Sequence, residues 1–223
     1  MLNELINGYL DFESAIIFIV SSLIVIFLTM PVHEWAHGYT AVKLGDNTPK
    51  WQGRLSLNPF AHIDYVGALC ILAFGFGWAK PVGVNPRNFR NTKRDMAIVA
   101  FAGPLSNLVL ALVSLLLCNL VALGSGRVFF YIAMVFYIIA NINVSLAVFN
   151  LIPIPPLDGS RLLAAFLPDR IYYTIMQYER YIFIALIALL YVGVLDVPLS
   201  YLTNKVFNGL IEIAELPFSF FYG

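Results

Sequence analysis

With 223 residues, 60% of them hydrophobic and only 12% charged, and a mean hydropathy of +0.82, the chain cannot be a soluble globule. Its formal net charge is zero and no basic block occurs, so it has no electrostatic footprint for nucleic acid. The length suits a single domain over residues 1–223, and several apolar runs reach the roughly 20 residues that cross a hydrocarbon core of about 30 Å.

The first residues, MLNELINGYLDFES, contain no Lys or Arg and so lack the basic start of a cleaved signal peptide. Ala15 to Val42 reads as one long helix, uncharged apart from HEWAH at 33–37, with Pro31 expected to kink or loosen it and Gly45-Asp46 to end it. The next block is polar and broken by Gly and Pro; its centre, Trp51 to Leu57, alternates like a short strand. Tyr65 to Ala79 is apolar, too short to span and interrupted by glycines, which suits a re-entrant segment. KPVGVNPRNF reads as a second short strand. Asp95–Leu123 and Val128–Ile152 are spans, PIPPLDGSRLLAAFLPDR interrupts the hydrophobicity, and Tyr181–Leu195 is the last strong run. From Pro198 onward, Leu202, Val206, Leu210 and Ile213 share one helical face, and Lys205, Asn208, Glu212 and Glu215 another. That helix is expected on the membrane or against the bundle.

The expected fold is therefore an all-α polytopic membrane protein with a small β element. It has about four full transmembrane helices plus the re-entrant segment, up to six membrane segments in all, and a C-terminal amphipathic helix. The core covers 14–168 and the C-terminal helices 171–223. No internal repeat is visible. Cys70 and Cys118 lie in apolar stretches without a CxxC pair and read as ordinary packed residues. With the N-terminus outside, eleven of the thirteen Lys and Arg residues face the cytoplasm, as the positive-inside rule asks. Both ends of 65–79 then face that side too.

Ionisable side chains inside a span are expensive unless they act. HEWAH places His33 and His37 one helical turn apart on one face, where they can share a Zn²⁺ ion, with Glu34 beside them to accept a proton from water. A catalytic zinc needs a third protein ligand and an open position. His62, Asp64 and Asp158 are the candidates, and Asp46 lies too near the helix end. Asp158 is the strongest, because Pro153, Pro155 and Pro156 break the chain at membrane depth, where irregular backbone is tolerated only against protein or a water-filled cavity. Asn150 precedes the break and can donate to an oxyanion or simply cap a helix. Ala100, Gly103, Ser106 and Asn107 put small residues on one side of a span, suited to close helix packing, with Asn107 able to reach the site.

In HEWAH, Gly103-Pro-Leu-Ser-Asn107 and NLIPIPPLDG at 150–159, the chain resembles the site-2 proteases, intramembrane zinc metalloproteases of peptidase family M50. These match the family's HExxH, GxxxN and NxxPxPxLDG patterns in order. GRLSLNPFAHIDYVG and FGWAKPVGVNPRNF further resemble its compact prokaryotic branch, with Gly83 where a second proline is expected. No PDZ or CBS domain is expected. The resemblance implies one zinc per chain held by His33, His37 and Asp158, Glu34 as general base, and Asn150 at the substrate carbonyl. It implies single-span membrane proteins as substrates and the lipid bilayer as setting, in a prokaryotic plasma membrane; the ten residues from His33 to Lys43, about 15 Å of helix, set the site nearer the cytoplasmic side. The oligomeric state stays open. The short strands beside the site would offer an edge for an extended substrate. The rivals are a divalent-metal transporter using the same ligands, disfavoured by the lack of repeats, and another membrane zincin with a glutamate ligand, for which Glu179 is the nearest candidate.

Overall fold

A computed structural model describes residues 12–74 and 79–219. In chain order the helices are α1 (Phe12–Ile24), α2 (Met30–Lys43), α3 (Thr48–Trp51), α4 (Pro59–His62), α5 (Tyr65–Phe74), α6 (Thr92–Ala122), α7 (Arg127–Asn150), α8 (Asp158–Ala164), α9 (Asp169–Gln177), α10 (Glu179–Val192) and α11 (Asp196–Glu215). Three stretches are long and apolar enough to cross a membrane: Glu13–Lys43, α6 and α7. The pair α9–α10, bent by 64°, passes the same test as one broken span. This is a multi-pass membrane protein.

Between α1 and α2 the backbone makes a π-helical turn, Val25–Thr29, closed by Met30 N–H on the Val25 carbonyl. The turn answers Pro31. Proline has no N–H, and its ring collides with the carbonyl four residues back, so the backbone widens by one residue just before it. The helix then continues, and the expected kink is absorbed rather than breaking the span.

Helix α6 begins on a reciprocal cap: Asn91 accepts from Arg94 N–H at 3.2 Å, and Asp95 accepts from Asn91 N–H at 3.1 Å. It packs on α7, α2 and α8. On the other side of α7 lies α1, and there the buried Asn143 amide donates to the Ile139 carbonyl at 2.8 Å and the Thr29 hydroxyl at 3.3 Å. Helix α11 lies against α6 and α7.

No strand occurs among the described residues, so the two expected short strands are not there. Pro49 opens the helical turn α3, and Gly53, at φ +67°, follows it with a backbone reversal. Residues 80–86 are not helical until Pro86, but their ladder donors are captured elsewhere. Val82 N–H goes to the Glu34 carboxylate at 2.8 Å and Asn85 N–H to Asp46 at 2.7 Å, where a sheet partner would have offered carbonyls. The position where the resemblance leads one to expect a second proline is filled differently: a Cβ on Gly83 would lie 2.6 Å from the Gln52 side-chain oxygen, which occupies that space. The 65–79 stretch starts as α5, and Lys80 N–H donates to the His62 carbonyl at 2.8 Å, so its two ends meet. The expected turn of the re-entrant segment at 75–78 lies outside the described residues.

Asp46 is fully buried just past α2, and its carboxylate ties this loop down. It accepts from Thr48 N–H at 3.0 Å, the Thr48 hydroxyl at 2.5 Å, Asn85 N–H at 2.7 Å and the Asn88 amide at 2.7 Å. Burial alone raises a carboxyl pKa, but the bonds from Thr48, Asn88 and Asn85 outweigh it and hold Asp46 below the usual carboxylate range. A depressed folded-state pKa means stability that is complete above the unfolded value, ~3.9, and is lost as pH falls through the folded one. Asp46→Asn should therefore cost about 1–3 kcal/mol near neutral pH. Thermal unfolding from pH 7 to 3 should show the gap between variant and parent narrowing below about pH 4. A gap that stays constant would contradict the assignment.

Candidate metal centre

His33 and His37 project from consecutive turns of α2 and stay 9% and 8% exposed, deep against α6. Their rings meet edge-on, centroids 4.7 Å apart, and their Nε2 atoms approach to 3.1 Å. Asp158 is the first residue of α8, where a helix N-terminus favours its charge. Its Oδ2 lies 3.4 Å from His33 Nε2 and 3.2 Å from His37 Nε2. Gly159 lets α8 start there: a Cβ would sit 2.2 Å from the Leu151 carbonyl oxygen and 2.5 Å from that of Ile152. Both clashes are with backbone, so the proline-broken segment cannot fold onto the end of α7 with any larger residue.

A backbone carbonyl fixes one imidazole. His37 Nδ1–H donates to the Val99 carbonyl on α6 at 2.7 Å, which leaves Nε2 as the lone-pair nitrogen facing Asp158. His33 Nδ1 is buried without a protein partner. Its ring is placed by packing instead, because Gly103 of α6 lies directly against both histidines; a Cβ there would come within 2.2 Å of His37 Nε2 and 2.6 Å of His33 Cε1. The sequence shows a small residue suited to helix packing, but not that the packing partners are the two imidazoles.

Glu34, 8% exposed, shares a cavity of about 350 Å³ with these residues. One carboxylate oxygen accepts Val82 N–H. Asn150 and Asn107 also line the cavity. Asn150 gives an amide hydrogen to the Leu146 carbonyl at 3.0 Å and keeps a second. Asn107 is 1% exposed with its Oδ1 unpartnered. His62 is elsewhere. It is fully buried, not the surface histidine expected from its polar surroundings, and its Nε2–H donates to the Ser56 carbonyl at 2.7 Å. Five lining residues escape the sequence reading. Arg161, one turn after Asp158, lines the cavity, as do Phe183, Leu186, Ile187 and Leu190 of α10.

The profile of Peptidase family M50 matches residues 119–193. YwhC of Bacillus subtilis is 41% identical over 171 residues, covering 75% of this chain and 78% of that protein. The chain belongs to peptidase family M50. MJ0611 of Methanocaldococcus jannaschii is 31% identical over 152 residues, 67% of this chain and 72% of that protein. Rip2 of Mycolicibacterium smegmatis is 33% identical over 144 residues, 59% of this chain and 51% of that protein. All three bear the name "Putative zinc metalloprotease". No solved structure matches.

This M50 protein is a zinc metalloprotease, and its cofactor is Zn²⁺. The donor set fits the ion. A tetrahedral zinc with bonds of about 2.0–2.1 Å needs its donors about 3.3–3.4 Å apart. The three pairs in the M50 centre are 3.1, 3.2 and 3.4 Å apart. Among the described residues this is the group of His, Cys, Asp and Glu side chains able to hold a metal ion. Three protein donors facing a cavity leave the open position that a catalytic zinc requires.

Proposed function

We propose that the chain hydrolyses peptide bonds within or near the transmembrane segments of membrane-anchored, single-span proteins, with Glu34 as general base. The observation that carries this reading is the Glu34 carboxylate in one buried cavity with three converging metal donors, on a helix that spans the membrane. His33, His37 and Asp158 hold the zinc, which when bound activates water and polarises the scissile carbonyl. Glu34 is steadied through one oxygen by Val82 N–H and takes the water's proton on the other, then returns it to the leaving amine. The second amide hydrogen of Asn150 donates to the carbonyl oxygen as negative charge develops there. A helical substrate hides its peptide bonds and must be opened first. The 79–84 segment is favoured as the surface that holds it extended, since Ala79, Pro81, Val82 and Val84 line the cavity and residues 51–57 do not.

Glu34→Gln tests the reading directly. In detergent-purified protein it should keep zinc and cleave a single-span substrate some 10²–10⁴-fold more slowly. Metal-dependent cleavage at the parent rate would defeat it, and zinc flux into liposomes would favour the transporter reading instead.

In our reading the N-terminus faces outside, in a prokaryotic plasma membrane. Trp35 stacks on Tyr39 at 4.8 Å, and Lys43 Nζ lies 5.3 Å over the Tyr39 ring, an aromatic and basic anchor suited to the cytoplasmic interface. His33 precedes Lys43 by ten residues, about 15 Å along a helix, which sets the site inside the bilayer. Single cysteines replacing Lys50 and Arg90 in a cysteine-free background should both label from the cytoplasm. Labelling from opposite sides would overturn this topology.

A further inference from the structure

The apolar stripe that the sequence places on α11 is not its buried face: Leu202, Val206 and Ile213 are exposed, and the helix packs through Phe207 and Ala214 instead. Phe207 and Ala214, 3% and 0% exposed, cluster with Ala111 and Leu115 of α6 and Ala140, Val144 and Val148 of α7. Three contacts set the helix's course. Ser200 and Thr203 share a cavity wall with Asn141, Ser145 and Phe149, towards one end of α7. The Phe207 ring meets Tyr137 edge-on at 5.2 Å, half-way along α7. The Asn119 amide donates to the Ala214 carbonyl at 3.0 Å, close to the far end of α6. Helix α11, which is not itself among the helices apolar enough to cross a membrane, thus runs beside two that are, over about 30 Å at 1.5 Å per residue.

One outer edge suits acyl chains: Leu202, Val206 and Ile213 are exposed. Beside it runs a polar stripe. Asn204, Lys205, Asn208, Glu212 and Glu215 recur at helical spacing on one side, and all are exposed. Among the described residues, none of these five side chains has a hydrogen bond or ion pair. Lys205 lies between Thr203 and Phe207, level with the middle of α7, and a lysine stem is too short to reach either end of that span. Ionisable groups at that depth are retained where a partner meets them. Gly209 flanks the stripe, with nothing within 4 Å of a would-be Cβ, so another backbone can come close.

We propose that this stripe docks a transmembrane helix of a different membrane protein, one that carries a carboxylate level with Lys205 and a basic side chain level with Glu212 and Glu215. A second copy of the chain does not fit. Two copies inserted the same way are related by an axis along the membrane normal, which sets Lys205 against Lys205 and Glu212 against Glu212. The occupant has a route to the metal centre. Asn204 lines a second cavity, of about 420 Å³, and the side chains of Leu146, Phe149 and Leu190 border both this cavity and the one holding Glu34.

The test uses the full chain in liposomes with two synthetic polyleucine spans. One carries Glu at mid-span and Arg seven residues on, towards the leaflet of Glu215; the other has the two charges exchanged. Energy transfer to labelled protein should show the first binding roughly tenfold more tightly. The double variant Lys205→Glu, Glu212→Lys should reverse that preference while zinc content stays at the parent level. If the double variant loses zinc through misfolding, Asn208→Trp replaces it, and bulk at the centre of the stripe should abolish the first probe's binding. Equal binding of both probes, or probe binding unaffected by these substitutions, overturns the proposal. So does energy transfer between two differently labelled copies of the chain that the charge exchange removes.

Discussion

Asp158→Ala and Asp158→Asn should purify with little zinc and no proteolytic activity, whereas His62→Ala should keep nearly one zinc per chain. Both residues are chemically able to ligate zinc, at similar bond lengths of about 2.0–2.2 Å, so position decides between them. Asp158 Oδ2 stands within 3.4 Å of both imidazole Nε2 atoms, while His62 spends its Nε2–H on the Ser56 carbonyl. Asparagine matches the shape of Asp158 but brings a neutral oxygen, which leaves the dication without an anionic ligand. Loss of a ligand should exceed the 10–100-fold cost typical of a lost outer-shell partner, so zinc affinity should fall by more than about 100-fold. His62 is fully buried, and its removal should instead lower the unfolding temperature, by the equivalent of about 1–3 kcal/mol. Elemental analysis of the purified variants separates the two roles. Zinc retained without Asp158 and lost without His62 would reverse the assignment.

Gly103→Ala should also empty the centre, although residue 103 neither ligates nor transfers protons. Alanine is the better helix former by about 1 kcal/mol, so propensity alone predicts a gain in stability. The clash sets the other sign. A Cβ 2.2 Å from His37 Nε2 and 2.6 Å from His33 Cε1 forces either the imidazoles off their donor geometry or α6 away from α2. His37 has little room to yield, because its other nitrogen is tied to Val99 one turn earlier on α6. The expected result is a helical protein whose zinc affinity drops at least ~10-fold and whose cleavage rate drops ~100-fold or more. Chelator competition gives the first number, and circular dichroism checks that the helices persist. Parent-like affinity and rate together would show that the two helices can separate at no cost.

What the sequence disclosed is what local periodicity and local breakage encode. Histidines four apart must share a helical face, and a carboxylate behind three prolines at the end of a span needs a cation, so the three side chains that converge in the structure stand out in the sequence. Which helix lies opposite which is not local. Gly103 therefore reads only as a small residue, and Phe183, Leu186, Ile187 and Leu190 only as one apolar face of a membrane helix. Arg161 could have been found, since it follows Asp158 by three positions on the same helix. The strands failed for a different reason. Alternation at 80–86 is present, but the buried carboxylates of Glu34 and Asp46 outbid a neighbouring strand for its amide hydrogens.

The donor atoms come from both sides of a long stretch of chain, and that has a consequence in time. His37 and Asp158 are 121 positions apart (158 − 37 = 121). At synthesis rates of roughly 5–20 residues per second, the HEWAH helix waits on the order of 6–24 s for its third donor to be made. Until then His33, Glu34 and His37 are in place without Asp158. A nascent chain, or one cut short anywhere before residue 158, carries the motif and cannot build the centre. The three-donor group is thus complete only once the N-terminal two-thirds of the polypeptide has been made.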